Sequence, residues 1–322
     1  MTHPAIRVLM LGMANETLPK TLLEAIRYFS NPDNCLNFMS ELRWPDGITC
    51  PHCDHAEVMF LKTRRIWKCK SCRKQFSIKT GTVLEDSPIG LDKWLSAIWL
   101  IVNAKNGVSS YELHRSLGIT QKSAWFLSHR IRLALQAGSF DKLSGEVEVD
   151  ETYIGGKARN MHASKRKHLG TGGAGKVAVM GLLERHGEVR TRVVPDTVQE
   201  TLRSHIREQV EAGTSVYTDG HGGYAALSDE YIHNVINHAE SYVSGHIHTN
   251  GIENFWSLLK RSIGGTYISV QPFHLFRYLD EQSFRFNNRR TTDLDRFIKA
   301  TQSITGRRIT FDELTDNDKV GH

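Results

Sequence analysis

The residues best suited to chemistry fall into two groups, thiols near the N-terminus and carboxylates further on. Four of the five cysteines, Cys50, Cys53, Cys69 and Cys72, form two C-x2-C pairs with fifteen residues between them. Two residues between thiolates let the chain turn back so that both sulfurs address one ion. Two such knuckles close a tetrahedral site with no open position, which predicts a structural zinc ion. Lys68, Lys70, Arg73 and Lys74 surround the second pair and favour its thiolates. The other readings are two disulfides, which a reducing cytoplasm disfavours, and a redox C-x-x-C pair, which would not need its duplicate. Cys35 stands apart in an amphipathic stretch, 22–42, and reads as a small buried side chain rather than a fifth ligand.

The carboxylates sit at three places. In GEVEVDETYIGG, residues 145–156, Val147 and Val149 alternate with Glu146, Glu148 and Asp150, as in a strand entering an acidic site. Period two puts all three carboxylates on one face, so alternation leaves open which of them acts. Asp219 ends a second strand-like run, 215–218, and precedes the glycine-rich GHGGY. Glu253 opens a helix with Ile252, Phe255, Trp256 and Leu259 for the core and Asn250 as candidate cap. Lys260 follows seven residues later, so the two side chains lie only about 20° apart around the helix and can address one ligand. Each carboxylate has a plainer reading: Asp219 as a turn residue before glycine, Glu253 as a carboxylate favoured by the helix dipole. His246 and His248 form H-x-H and read as a solvated loop, because a hard cation such as Mg2+ prefers oxygen.

The elements that must hold these residues follow from periodicity. Residues 58–61, 65–68 and 75–78 alternate as short strands, which with the cysteine knuckles makes a zinc ribbon. From 91 to 137 apolar residues recur at helical spacing. The break at Leu117-Gly118-Ile119, between a helix starting near Ser109 and one capped by Thr120, reads as helix-turn-helix; an ordinary helical hairpin is the plainer reading, and the neighbouring zinc ribbon favours DNA contact. Gln121, Lys122, Ser123, His129 and Arg130 are its exposed candidates for phosphate or base-edge contact with double-stranded DNA. Two strands, 177–183 and 188–194, joined by Arg185-His186-Gly187, and a helix over 197–212 separate the first two carboxylate sites. Between 152 and 183 there is no acidic residue, while Lys157, Arg159, Lys165, Arg166, Lys167 and Lys176 lie among glycines, as in a mobile basic loop that tracks a DNA backbone. Aromatic residues at helical spacing over 273–288 predict a helix packed on the catalytic core.

The order of zinc ribbon, helical segment, VEVDETYIGG, VYTDGHGGY, HTNGIENFWSLLKR and FRFNNR resembles bacterial insertion-sequence transposases of the zinc-ribbon ISXO type, over about 28–290. The resemblance implies an α/β fold: a ribonuclease H-like catalytic domain, with a mixed central sheet flanked by helices, preceded by a small zinc ribbon and a helix-turn-helix segment. It also selects Asp150, Asp219 and Glu253 as a DDE triad holding two Mg2+ or Mn2+ ions, with Asp150 bridging them. Lys260, the basic residue two turns after the glutamate, would hold a DNA phosphate, with Arg261 beside it. The activity implied is DNA cleavage by water at an element's end and joining of the freed 3′-OH to target DNA. Synapsis of two ends implies a homo-dimer or higher oligomer on DNA. The rival readings are a catalytically silent DNA-binding regulator and a metal-dependent nuclease without strand transfer. The expected divisions are a helical segment 1–45, the ribbon 46–82, the helix-turn-helix segment 88–140, the catalytic domain 144–290 and a C-terminal tail 291–322, acidic at Asp312, Glu313, Asp316 and Asp318 and read as accessory or frayed.

Composition sets the outer bounds. Of 322 residues 39% are hydrophobic and 24% charged, with 26 Gly and only 8 Pro, which excludes a disordered or collagenous chain and suggests two or three domains. The longest apolar runs, 94–102 and 177–183, fall short of the roughly 20 residues a bilayer span needs. The apolar run 6–13 lacks the basic cluster and cleavage site of a signal peptide, so a cytoplasmic protein is expected. Lys and Arg exceed Asp and Glu by 41 to 35, a net charge of +6 that permits nucleic-acid binding without requiring it.

Overall fold

The computed structural model describes residues 18–136, 141–156, 175–220, 222–224, 227–236, 248–268 and 270–315. The chain divides into two compact units, one of 1–135 with 290–322 and the other of 136–289. No helix among the described residues is long and apolar enough to cross a membrane.

In the first unit the amphipathic stretch is two helices, α1 (Leu22–Phe29) and α2 (Pro32–Arg43). They break at Asn31-Pro32, where Asn31 accepts from the Asp33 N–H and proline starts the next helix. Three short antiparallel strands follow, β1 (Val58–Leu61), β2 (Ile66–Cys69) and β3 (Gln75–Phe76). Trp67 of β2 stacks on Phe76 and meets Trp44 edge-on, giving this small sheet an aromatic core. Next come α3 (Leu91–Asn103), α4 (Ser110–Leu117) and α5 (Gln121–Leu135). The turn between the last two is built as expected. Gly118 closes α4 in the left-handed region at φ 59°, and Thr120 Oγ1 accepts from the Ser123 N–H at 3.1 Å.

Two expectations fail in this unit. The tail after 290 is not frayed over its described residues, which end at 315: α9 (Asp293–Gln302) buries Phe297 completely against Phe29, Phe38 and Trp99, with the Phe38 and Phe297 rings stacked 5.4 Å apart. The segment beyond it then runs along α5. Arg307 donates to the Leu133 carbonyl, Arg130 Nε to the Ile309 carbonyl, and the Phe311 ring of α10 (Phe311–Thr315) meets Trp125 and Phe126. Arg130, 5% exposed, lies under that cover and His129, 0% exposed, is buried beside Trp125, so neither is the surface residue expected of a groove-reading helix. Helical spacing locates a buried stripe, but not a second one supplied from far along the chain.

The second unit is a five-stranded sheet with helices on both faces. Its strands are β4 (Glu146–Ile154), β5 (Val177–Glu184), β6 (Val189–Val194), β7 (Ser215–Asp219) and β8 (Ile232–Ile236), in the order β6-β5-β4-β7-β8. The first three pair antiparallel, whereas β4 with β7 and β7 with β8 are parallel. Val147, Val149, Met180 and Val216 pack on one face with Leu202 and Ile206 of α6 (Gln199–Gln209). On the other face Ile154, Val179 and Leu183 pack with Ile252, Phe255, Trp256 and Leu259 of α7 (Asn250–Arg261) and Leu275 and Leu279 of α8 (Leu275–Asn287). The N-cap of α7 is Thr249, and Asn250, expected there, is the first helical residue.

Candidate active site and metal centre

The four cysteines converge as their spacing requires. Their sulfurs all lie within 4.8 Å of one another, and Cys50–Cys72 and Cys53–Cys69 are each 3.7 Å apart. A tetrahedron of thiolates at 2.3 Å from zinc has edges of about 3.8 Å, so the quartet fits that ion and leaves it no open position. Burial opposes ionisation of Cys69, but the backbone N–H groups of Cys72 and Ser71, with the neighbouring thiols, outweigh it and bring the group down to about 7. Cys35 is buried in α2, donates to the Phe29 carbonyl, and is pushed up to about 12 chiefly by burial, which makes it inert.

The carboxylates meet at the sheet. The register pairs Glu148 with Tyr217 in parallel strands, so two residues further on Asp150 comes level with Asp219 at the end of β7. Asp150 is held up to about 7, first by burial and then by the negative charges of Glu151 and Asp219. The antiparallel partner of Asp150 is Gly181. A Cβ there would lie 2.6 Å from the indole of Trp256, so glycine leaves room for α7 to approach the strand. Trp256 Nε1 donates to Asp150 Oδ2 at 3.0 Å. Trp256 is therefore a core residue, as expected, with a polar end spent on the site. Glu253 is exposed on the first turn of α7 and accepts from Thr249 Oγ1 at 2.9 Å; Lys260 and Arg261 are exposed in the last turn.

Glu151, the carboxylate that follows Asp150 in the strand, is left out of the triad that the resemblance selects. By period two it points to the other face of β4 from Asp150. Burial and the charge of Asp219 raise it to about 7, against the hydrogen bond from the buried Tyr224 hydroxyl. Tyr224 itself stands in the GHGGY loop, and an aromatic residue in a glycine-rich turn was the available signal. Oxygen donors crowded until two of them hold protons near neutrality fit a hard divalent cation, whose charge would relieve the repulsion. Among the described residues the cysteine quartet is the one group of three or more such ligands within 4.8 Å, so the triad stands wider than a closed cage.

Of the remaining expected residues, Lys122 is exposed and Gln121 and Ser123 are half-buried on α5. His248 lies beside Glu148, with Nδ1 3.3 Å from its Oε1. His246 and the basic residues Lys157, Arg159, Lys165, Arg166 and Lys167 lie outside the described residues.

Comparison with known families agrees with this division. A model of the ISXO2-like transposase domain matches residues 142–287, and a model of the transposase zinc-ribbon domain matches 30–75. The chain is also 29% identical, over 252 residues, to an uncharacterized protein in transposable element ISH50 of Halobacterium salinarum, covering 73% of this chain and 84% of that one. The first domain match contains the sheet with its acidic residues and the second contains the cysteine knuckles, so the chain carries an ISXO2-like transposase domain and a transposase zinc-ribbon domain.

Proposed function

We propose that this chain cuts and joins DNA strands at the ends of an insertion sequence by a DDE mechanism, using Asp150, Asp219 and Glu253. The observation that carries the proposal is the parallel register of β4 and β7, which sets Asp150 level with Asp219, together with the packing of the Glu253 helix on β4 through Trp256. The strand order, three antiparallel followed by two parallel, supports a ribonuclease H-like reading of the sheet. Two Mg2+ or Mn2+ ions held by the three carboxylates would stabilise the attacking and leaving oxygens of an in-line displacement. Asp150 and Asp219 supply hard oxygen donors from neighbouring strands, and Glu253 supplies another from α7. Water cleaves the phosphodiester at the element's end, and the freed 3′-OH then attacks a target phosphodiester, so each step breaks one ester bond. Lys260, on the same face of α7 as Glu253, holds a DNA phosphate, and Arg261 adds charge beside it.

The zinc ribbon and the helix-turn-helix segment bind the terminal repeats, with Gln121, Lys122 and Ser123 as the contacts that remain accessible. Lys165, Arg166 and Lys167 follow the DNA backbone, two copies of the chain or more hold the two ends together, and the protein works in the cytoplasm. The test incubates purified protein and Mg2+ with a labelled element end and a supercoiled target plasmid, beside Glu253→Gln. Ends joined to target by the wild type alone support the proposal. Cut ends that are never joined indicate a plain nuclease, and tight binding with neither product indicates a regulator.

A further inference from the structure

Glu148 is a charged side chain with no place in the triad, yet it is 1% exposed at the centre of the sheet. Its Oε2 accepts the Ile252 backbone N–H at 2.9 Å, in the first turn of α7, where helix N–H groups lack intrahelical partners. Its Oε1 accepts Arg185 Nε at 3.0 Å. Arg185 donates in turn to the His248 carbonyl at 2.7 Å and to Glu146 Oε1 at 3.1 Å, and its guanidinium lies 4.0 Å over the Tyr217 ring. The approach is close enough that a Cβ on Gly251 would fall 2.7 Å from Glu148 Oε2 and 2.6 Å from Leu183. A buried ion pair of this kind is weak as a source of stability, because desolvation offsets the attraction, and an apolar pair would serve a core as well. What an apolar pair would not do is hold a backbone N–H at a set distance from the strand.

We propose that Glu148 is a positioning residue that fixes the start of α7, and with it Glu253, relative to Asp150. Glu148 and Asp150 project from the same face of one strand, two residues apart, and Ile252 is the chain neighbour of Glu253. One hydrogen bond therefore spans the interval between the strand carboxylate and the helix carboxylate, and Trp256 with Asp150 closes it one turn later. Arg185 locks Glu148 in that pose and ties down the residues entering the helix through His248. The consequence for metal affinity rests on the triad reading above; the anchoring of α7 does not.

The test compares full-length, zinc-loaded wild type with Glu148→Gln and Glu148→Ala. It reads amide hydrogen exchange at Ile252 and Glu253, Mn2+ binding by electron paramagnetic resonance, and the thermal melt. Glu148→Gln keeps an acceptor for Ile252 but turns an amide towards Arg185, so exchange at Ile252 rises severalfold and half-saturation by Mn2+ moves severalfold upwards. Glu148→Ala does both by tenfold or more, with binding to end DNA unchanged. A purely structural Glu148 would lower the melt and leave the Mn2+ half-saturation of the folded fraction in place, which overturns the proposal. Should Glu148→Ala not fold, wild-type exchange and Mn2+ binding in Glu148→Gln overturn it equally. If the wild type binds no Mn2+ and cuts no DNA, the triad reading fails, and exchange at Ile252 still decides whether Glu148 anchors the helix.

Discussion

The indole N–H of Trp256 donates to Asp150 across the face of Gly181, so the residue that anchors α7 in the core also orients the first carboxylate of the site. Trp256→Phe keeps most of the apolar bulk and removes only the donor. We expect a loss of about 1.5–3 kcal/mol in stability, the scale of one hydrogen bond to a charged group. Because that bond favours the ionised carboxylate, the pH profile of DNA cleavage should also move upwards. A pH profile superimposed on that of the wild type would mean that the bond does not tune Asp150.

Asp150 and Glu151 hold their protons to about 7 in the folded chain, raised first by burial and then by neighbouring carboxylates. In the unfolded chain they release them near 4, so between these values the native state binds more protons. Their contribution to stability is fully present below the unfolded value and is lost as pH rises towards about 7. Without added divalent cation, the melting temperature of wild type should therefore fall from pH 5 to pH 8 relative to Asp150→Asn, by the equivalent of on the order of a few kcal/mol. Millimolar Mg2+ should narrow that gap. Parallel melting curves for the two proteins across this range would show that Asp150 titrates normally.

Much of this site is readable in the sequence because a strand with one face in the core alternates. Val147 and Val149 mark β4, and the run into Asp219 marks β7. What alternation cannot separate is Glu148 from Asp150, since both face α7; the difference lies in which partner the helix presents, a backbone N–H to one and an indole to the other. Strand β8 escaped notice because it is an edge strand that leaves Ile232 and Val235 exposed, so it lacks the burial pattern that periodicity detects. The role of the tail was hidden for a different reason. The partners of Phe297 are Phe29, Phe38 and Trp99, and no local pattern announces a contact with residues so distant in sequence.

That aromatic cluster makes the tail testable. Phe297→Ala removes the ring that Phe38 stacks on in a fully buried position, and such truncations cost about 3–5 kcal/mol. A chain ended after Arg290 loses the whole of α9 and should lose the cooperative melt of the helices it covers. If the shortened chain melts like wild type and still binds end DNA, the tail is accessory after all.

The burial of Arg130 divides the helix-turn-helix candidates into two kinds with opposite signatures. Arg130 Nε donates to the Ile309 carbonyl and its guanidinium lies 4.6 Å from the Phe126 ring, so Arg130→Ala leaves a carbonyl short of its donor and a face unpacked. We expect it to lower stability by about 1–3 kcal/mol and to leave the salt dependence of DNA binding unchanged in the folded protein. Lys122 is exposed at the start of α5, with its ammonium 4.3 Å from the Phe311 ring, and keeps its charge within reach of a phosphate. Lys122→Ala should weaken DNA binding about equally for all sequences and reduce the slope of log affinity against log salt by about 1, with only a small change in melting temperature. Measuring both variants by salt titration and thermal melt separates the roles. A salt slope altered by Arg130→Ala and unaltered by Lys122→Ala would mean that the segment over α5 moves aside when DNA binds.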